Sequence, residues 1–513
     1  MRIAFLTLGC KLNYAETSTY ERGFKAAGLD VVPWQEKADV YVINTCTVTA
    51  TSDAKSRNLV RKMNRVNPSA AIVVTGCSAE LRRDDYTSLP GVLRVFGALE
   101  KPLLVPETLS LLNLSAGGVV NDLERSEGII RCPAEAVCNG RPGAPVWREP
   151  VIDRPRVARF SEACSSASTS SSTDAGGVYP EKTVAARGHV NGGTASEAQR
   201  WDGVSEANGS FGGVYTPGSD KRECFGAYST GERTRSFLKV QDGCNNFCKY
   251  CTVPYARGRS RNIPISECIR NAEAIAAEGV KEIVLTGVNT GDFGRTTGES
   301  FLDLLKALNE VEGIERYRIS SIEPNLITEE IVDWIAGGTK VAPHFHIPLQ
   351  TGSDQLLKAM GRHYDTKFFA DKIAYIRQKL EGPGKPKVFF GIDTMVGLPG
   401  ETEELFQETY DFIASIRPAF IHVFPYSRRP GTPAASFPGQ NTEATKHERV
   451  LKLEQLCDRL HGEFVEANRG IAGRVLFESK DKNGMMSGYT GNYIRIERPY
   501  DPQLVGQLVD III

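Results

Sequence analysis

Cys244, Cys248 and Cys251 stand in the run Cys-Asn-Asn-Phe-Cys-Lys-Tyr-Cys, a spacing that can bring three thiolates to one center within a single loop. On an iron-sulfur cubane, three protein thiolates leave one iron open to a substrate or cofactor. A structural zinc site would instead need a fourth ligand close by. Tyr250, directly before the third cysteine, and the position of the loop at the start of a strand-helix repeat favor the cluster. Cys10, Cys46 and Cys77 each follow a short apolar run. Taken singly, such cysteines commonly serve as small core hydrophobes. Taken together, they follow three successive strands, and in a parallel sheet the strand ends share one edge where ligands bind. Cys132, Cys138, Cys164 and Cys224 have no metal-like spacing and read as incidental thiols.

Polar residues also collect where strands should end. Asn289, Ser321, Glu323, Gln350 and Asp393 could hydrogen-bond a nucleoside cofactor, and the glycines around them would let backbone approach it. Strand-end polar residues also serve as caps and turns. Arg257, Arg259 and Arg261 follow the Cys244 loop at a place where a phosphate backbone would pass. The segment after Cys46 puts Lys55, Arg57, Arg61, Lys62 and Arg65 on one helical face, which suits RNA contact or a solvated surface.

The elements that must hold these residues can be read from periodicity. Ile3–Leu8, Val40–Ile43 and Ala71–Thr75 read as strands, with helices near Tyr14–Ala27 and Ala50–Val66 between them, so residues 1–106 are predicted to form an open parallel α/β domain. Residues 107–232 form a low-complexity insertion. From Ser161 to Asp220 there is no Leu, Ile or Met, too little apolar surface to offset ordering entropy, so most of it is expected to be disordered. Over residues 233–465, strands near Phe237–Val240, Glu282–Thr286, Tyr317–Ser321, His344–Pro348, Val388–Met395 and Phe420–Pro425 alternate with helices, predicting a partial TIM-type barrel. A long amphipathic helix from about Thr442 to Asn468 leads into residues 466–513, whose short β runs, broken at Asn483-Gly484 and Gly491-Asn492, suit a small antiparallel barrel.

Across 513 residues, 61 basic side chains balance 62 acidic ones, so no overall polyanion attraction operates and any nucleic-acid contact must be local. No run approaches the roughly 18 apolar residues of a membrane span. The N-terminal apolar run is short and meets Cys10 and Lys11 without a signal-peptide pattern, so a cytoplasmic location is expected. In a reducing compartment, twelve cysteines suggest metal or thiol chemistry rather than disulfides.

The Cys244 loop, the segments Leu285–Asn289, Ser320–Pro324, His346–Ser353 and Asp393–Glu401, and the Cys10/Cys46/Cys77 set resemble the radical S-adenosylmethionine (SAM) superfamily and, within it, the methylthiotransferases. The resemblance implies two [4Fe-4S] clusters. Cys244, Cys248 and Cys251 would hold the one that chelates SAM and releases a 5′-deoxyadenosyl radical, and Cys10, Cys46 and Cys77 would hold an auxiliary one that carries sulfur. It also implies an electron donor such as flavodoxin or ferredoxin, a sulfur source, and a C-terminal TRAM-like module. The runs Thr7–Asn13, Val253–Arg261 and Phe424–Thr432 most resemble the branch acting on threonylcarbamoyladenosine in tRNA. Close relatives use isopentenyladenosine in tRNA or an aspartate of a ribosomal protein. A noncatalytic iron-sulfur RNA-binding regulator would explain the cysteines but leave the strand-end cofactor motifs without a purpose.

Overall fold

The computed structural model describes residues 1–114, 224–230, 234–295, 297–480 and 484–513. Most of the predicted insertion, with Cys132, Cys138 and Cys164, lies outside the described residues.

The first sheet is fully parallel. Its strands are β1 (Arg2–Thr7), β2 (Asp30–Val31), β3 (Val40–Thr45), β4 (Ala71–Gly76) and β5 (Val92–Phe96), in the order β2-β1-β3-β4-β5. Every residue of β3 is buried, as a central strand covered on both faces requires. Period-two alternation sends Ala4, Leu6, Tyr41, Ile43, Ile72 and Val74 toward Val60 and Met63 of α2 (Ala50–Val66). Ile3, Phe5, Val40, Val42 and Val73 face the other way, onto Tyr20 and Phe24 of α1 (Lys11–Ala26). Beyond β4 lie two short helices, α3 (Cys77–Leu81) and α4 (Arg83–Thr87), and then α5 (Leu104–Leu111), which adds Leu104 and Leu109 to the second layer. Helix α5 therefore runs into the stretch the sequence assigned to the insertion. At that stretch's far end, β6 (Ala227–Tyr228) pairs antiparallel with β7 (Arg235–Lys239). Cys224, read from sequence as incidental, packs against the barrel core, and burial pushes its thiol up to about 11.

The central strands form an arc. After β7, a small hairpin of β8 (Gln241–Asp242) and β9 (Arg261–Asn262) brackets α6 (Val253–Arg257). Then α7 (Ile265–Ala277), β10 (Glu282–Thr286), α8 (Phe301–Asn309), β11 (Arg316–Ile319), α9 (Glu329–Ala336) and β12 (His344–Gln350) follow. The unit closes with α10 (Asp354–Ala359), α11 (Thr366–Leu380), β13 (Phe389–Val396), α12 (Glu403–Ile416) and β14 (Phe420–Pro425). Strands β7, β10 and β11 pair in parallel, as do β12, β13 and β14, and parallel bridges Tyr317 to Val341 and Ser321 to His346 join the two sets. The result is a partial barrel with helices outside. Leu238, Ile283, Leu285, Ile319, Phe345, Ile347, Phe390 and Ile392 pack in its core cluster.

Helix α13 (Glu443–Glu466) packs on β14 and leads to β15 (Ala472–Lys480), β16 (Met485–Thr490), β17 (Arg495–Pro499) and β18 (Leu508–Ile512). These make a four-stranded antiparallel sheet, ordered β17-β16-β15-β18, where the sequence predicted a small barrel. Arg318 donates to the Thr490 and Gly491 carbonyls at 2.6 and 2.7 Å, and Arg316 to the Arg474 and Tyr489 carbonyls at 2.9 and 3.1 Å. Both arginines also grip the fully buried Glu282. Burial alone would raise that carboxyl, but Arg318 and Arg316 outweigh it and hold the value down at about 2, against an ordinary 4.5. The stabilization is therefore present above pH 4.5 and lost as pH falls toward 2, a span worth about 3 kcal/mol. Glu282→Gln is expected to lower stability at pH 7 by that order and to flatten acid unfolding across this window. Urea melts at pH 7 and pH 3 read the difference, and an unchanged acid profile would refute it.

Candidate active site

The two cysteine trios are presented by different units. In the first sheet, Cys10 follows β1, Cys46 follows β3 and Cys77 opens α3 directly after β4, so three adjacent strands deliver three thiols to one edge. Two glycines make that approach possible. A Cβ on Gly9 (φ 109°) would lie 2.9 Å from Cys46 Cβ, and one on Gly76 (φ 103°) would lie 2.3 Å from the Thr45 carbonyl oxygen. Asn13 Nδ2 ties the same edge together by donating to the carbonyls of Leu8 and Thr45 at 2.7 and 3.1 Å.

The second trio lies in the loop after β8. Cys244 N donates to the Gly258 carbonyl at 3.1 Å and Cys251 N to the Cys248 carbonyl at 2.9 Å, folding the loop onto itself. Amides of Asn246 and Val253 point at the Cys244 and Cys251 sulfurs, each at 3.4 Å. Arg362 donates from Nη1 to Cys248 Sγ at 3.1 Å, while its Nη2 pairs with Glu323.

Both trios fit iron-sulfur clusters. Burial, with mutual repulsion among the sulfurs, pushes Cys46 and Cys251 up to about 12 and Cys244 to about 11. Burial likewise raises Cys77. Such thiols ionize only when a cationic group binds them. Among the described residues, neither trio gathers its three sulfurs within 4.8 Å. Each trio supplies three thiols, one short of the four ligands of a structural zinc site and the number that leaves one iron of a cubane open.

Between the trios lies a buried ion network. Arg257 donates from Nε to Cys77 Sγ at 3.2 Å, from Nη1 to Asp242 at 2.9 Å and from Nη2 to Asn13 Oδ1 at 2.6 Å. Glu16, on the buried face of α1, receives Lys101 at 2.7 Å and Lys239 at 2.9 Å, and Lys239 also reaches Asp242 at 2.7 Å. Burial would raise Glu16 and Asp242, but the surrounding cations hold both carboxyls well below the usual range. Arg257 is only 2% exposed, so the expectation that it contacts RNA is corrected: its guanidinium is consumed inside the protein. Arg261 leans the same way, donating to the Arg257 carbonyl at 2.7 Å. Only Arg259 of the three is exposed, with its guanidinium over the Phe247 ring. Sequence missed Glu16, Lys239, Arg362 and the pair Arg429–Asp53, which joins the β14 exit loop to α2 at 2.5 Å. A lysine closing the apolar strand Arg-Ser-Phe-Leu-Lys was the available signal for one of them.

The strand-end residues are brought to the same side of the arc. Asn289 Oδ1 accepts from the Glu323 amide at 3.2 Å, placing these two side by side, although Glu323 is already paired with Arg362. Ser321 Oγ lies 2.9 Å from His346 Nδ1, and the Asp393 carboxylate accepts from His346 Nε2 at 2.9 Å. Gln350 has a left-handed backbone (φ 73°) at the bulge where β12 slips against β13, and Tyr364 donates to the Pro348 and Leu349 carbonyls to hold that bend. A non-glycine residue there costs roughly 1 kcal/mol or more and is a frequent mark of a binding site. A cleft of about 280 Å³ near Leu6, Tyr14, Trp34 and Arg235 is lined by none of the six cysteines and by none of these strand-end residues.

A partial parallel barrel with a three-cysteine loop after its first strand, and polar side chains at the following strand ends, defines a radical SAM enzyme. Residues 238–413 match the Radical SAM superfamily, and residues 2–97 match Uncharacterized protein family UPF0004. The chain is 34% identical, over 99% of its length and 93% of the relative's, to the threonylcarbamoyladenosine tRNA methylthiotransferase MtaB of Bacillus subtilis. It is 32% identical, over the full length of both, to the protein of that name from Aquifex aeolicus. A tRNA-2-methylthio-N(6)-dimethylallyladenosine synthase of Alkaliphilus oremlandii is 38% identical, but over 54% of this chain and 59% of its own. The chain belongs to the radical SAM methylthiotransferase family. That family works with SAM and [4Fe-4S] clusters. Among the described residues, no helix is long and apolar enough to cross a membrane.

Proposed function

We propose that this enzyme methylthiolates carbon 2 of N6-threonylcarbamoyladenosine next to the anticodon of tRNA, with Cys244, Cys248 and Cys251 holding the SAM-binding cluster and Cys10, Cys46 and Cys77 the auxiliary one. The observation that carries this reading is the pair of convergent thiol trios, on two units of the fold, joined through Arg257 and Asp242. When bound, SAM and the clusters supply the hydrogen-abstracting radical and the methylated sulfur. The chain's own part is positioning. Arg257 fixes the edge bearing Cys77 against the loop that begins at Asp242, and Arg362 fixes Cys248 against Glu323 and Tyr364. Asn289, Ser321, Glu323, Gln350 and Asp393 line the cofactor's side of the barrel, where Ser321 and Asp393 share His346. Arg259 is the residue of its triplet that remains at the surface to meet a phosphate. A base splayed out of the anticodon loop is the substrate form that can reach both trios.

Full-length similarity to the threonylcarbamoyladenosine branch, against partial similarity to the dimethylallyladenosine branch, supports the substrate choice. A one-electron donor such as flavodoxin or ferredoxin and a sulfur source are the partners this chemistry requires, and the cytoplasm is where tRNA, reductant and enzyme would meet. Mass spectrometry of tRNA nucleosides tests the reading. A strain deleted for the gene is expected to lose the 2-methylthio derivative of threonylcarbamoyladenosine and to regain it on complementation. Restoration of 2-methylthio-isopentenyladenosine instead would transfer the enzyme to the other branch.

A further inference from the structure

Strand alternation gives the barrel a second face. While Phe345, Ile347, Phe390, Ile392 and Ile421 enter the core cluster, the intervening His346, Asp393 and His422 are only partly buried, and they stand on three adjacent strands with Asp393 and His422 in register. Their ligand atoms lie within 4.8 Å of one another. His346 is fully committed, to Ser321 through one ring nitrogen and to Asp393 through the other. His422 is not: among the described residues, neither of its nitrogens has a hydrogen-bond partner. Burial, with His346 adding to it, keeps that imidazole neutral down to about pH 4, so it can donate and accept.

Lys11 reaches the same group from the other unit. It is the residue directly after Cys10, its side chain is accessible, and among the described residues its ammonium forms no ion pair or hydrogen bond. It is nonetheless within electrostatic reach of Tyr493, Asp393 and His422, with the Arg235 and Arg318 guanidinium groups in reach as well. A cation beside the trio, and a His346 with both nitrogens occupied, argue against a metal ion there. What remains open is one ammonium, one neutral imidazole and one carboxylate edge, a set that matches a ligand carrying both a carboxylate and a hydroxyl.

We propose that Lys11, His422 and Asp393 form the site that reads the hydroxy-amino-acid arm of the substrate base, with Lys11 on the arm's carboxylate and His422 and Asp393 on its hydroxyl. The inference rests on the substrate proposed above and deepens it. In adenine, C2 and the N6 substituent lie on the same edge of the ring, so groups that recognize the arm must stand beside the place where sulfur is delivered. Lys11 meets that condition because it is one residue from Cys10, and Asp393 meets it because it is on the cofactor's side of the barrel. A site built for such groups rejects an analogue that lacks them, since its own polar atoms are then left unpaired.

The test uses the holoenzyme, with both clusters verified by iron and sulfide content, and measures equilibrium binding of anticodon stem-loop RNAs under anaerobic conditions. One RNA carries threonylcarbamoyladenosine and the other its threoninamide analogue, in which a neutral amide replaces the carboxylate. The natural protein is expected to prefer the carboxylate RNA by at least about tenfold, the scale of one charge-assisted hydrogen bond. Lys11→Gln is expected to reduce that preference severalfold, whereas His422→Phe is expected to leave it in place and to reduce severalfold the preference over a third RNA, whose arm is the 2-aminobutyryl analogue that keeps the carboxylate and lacks the hydroxyl; KM for methylthiolation should move with the binding constant. His422 is distant in sequence from every cysteine of the trios, so its variant stands if Lys11→Gln fails to load its cluster. Equal binding of the carboxylate RNA and either analogue by the natural protein, a carboxylate preference that survives Lys11→Gln, or a hydroxyl preference that survives His422→Phe in cluster-replete enzyme, would overturn the proposal. Natural enzyme that methylthiolates the carboxylate RNA yet ignores the carboxylate sinks this site alone. Natural enzyme that leaves that RNA unmodified sinks the substrate reading itself.

Discussion

Arg257→Met is expected to destabilize the protein by about 3–5 kcal/mol and to strip iron from the auxiliary site, with RNA affinity falling only as a consequence. Arg257, Lys101, Lys239, Glu16 and Asp242 are each nearly or fully buried, three cations against two anions. Their formal sum is +1, and Arg257 turns its Nε toward Cys77. Removing the guanidinium deprives Asp242 and Asn13 of bonds at 2.9 and 2.6 Å that methionine cannot replace, in a place water does not reach. The same deletion removes an N–H donor from Cys77, so ionizing that thiol beside two others becomes harder. Denaturant melts and iron content check both halves. Arg257→Lys restores the charge without the fork, and is expected to recover part of the stability and less of the iron. A stable, iron-replete Arg257→Met protein with weakened RNA binding would reinstate the surface role that the sequence suggested.

That arginine also marks the limit of reading this chain as a string. The spacing of Cys244, Cys248 and Cys251 is local, and periodicity alone places Cys10, Cys46 and Cys77 at strand ends. The matching edges follow from the parallel order β1-β3-β4. Helix α2 was legible to its ends because an amphipathic pattern starts behind Thr49, whose side chain accepts from the Ser52 amide. Thr328 and two glutamates announce the start of helix α9, but its two turns carry too little periodicity to stand out in the sequence. What sequence could not supply was pairing across distance. Glu16 meets Lys239 over 223 positions, and Arg429 meets Asp53 over 376. Residue type placed Arg257 near the chemistry, but only burial decides between a phosphate and a carboxylate as its partner. The C-terminal strands were legible one by one, whereas the bonds that tie their sheet to Arg316 and Arg318 span 158 and 172 positions, and no local pattern encodes them.

Cys244→Ala separates the two halves of the site. The variant is expected to form no 5′-deoxyadenosine from SAM under reducing conditions, while the auxiliary trio still takes up its iron. With Cys244 gone, Cys248 and Cys251 leave a cubane with two thiolates where three are required to keep one iron distinct from the rest. The substitution is small, and the loop keeps its other supports: the Arg362 contact to Cys248 and the backbone bond from Cys251 to Cys248. Cys10, Cys46 and Cys77 are held by β1, β3 and β4 and by the Arg257 network, none of which passes through the Cys244 side chain. Cys46→Ala is the mirror case, expected to lose methylthiolation while still cleaving SAM. Iron content, the electron paramagnetic resonance of each reduced cluster and 5′-deoxyadenosine yield tell the two variants apart. Residual SAM cleavage in Cys244→Ala would remove that cysteine from the ligand set, and loss of both cluster signals from either single variant would mean that the trios assemble as one unit rather than two.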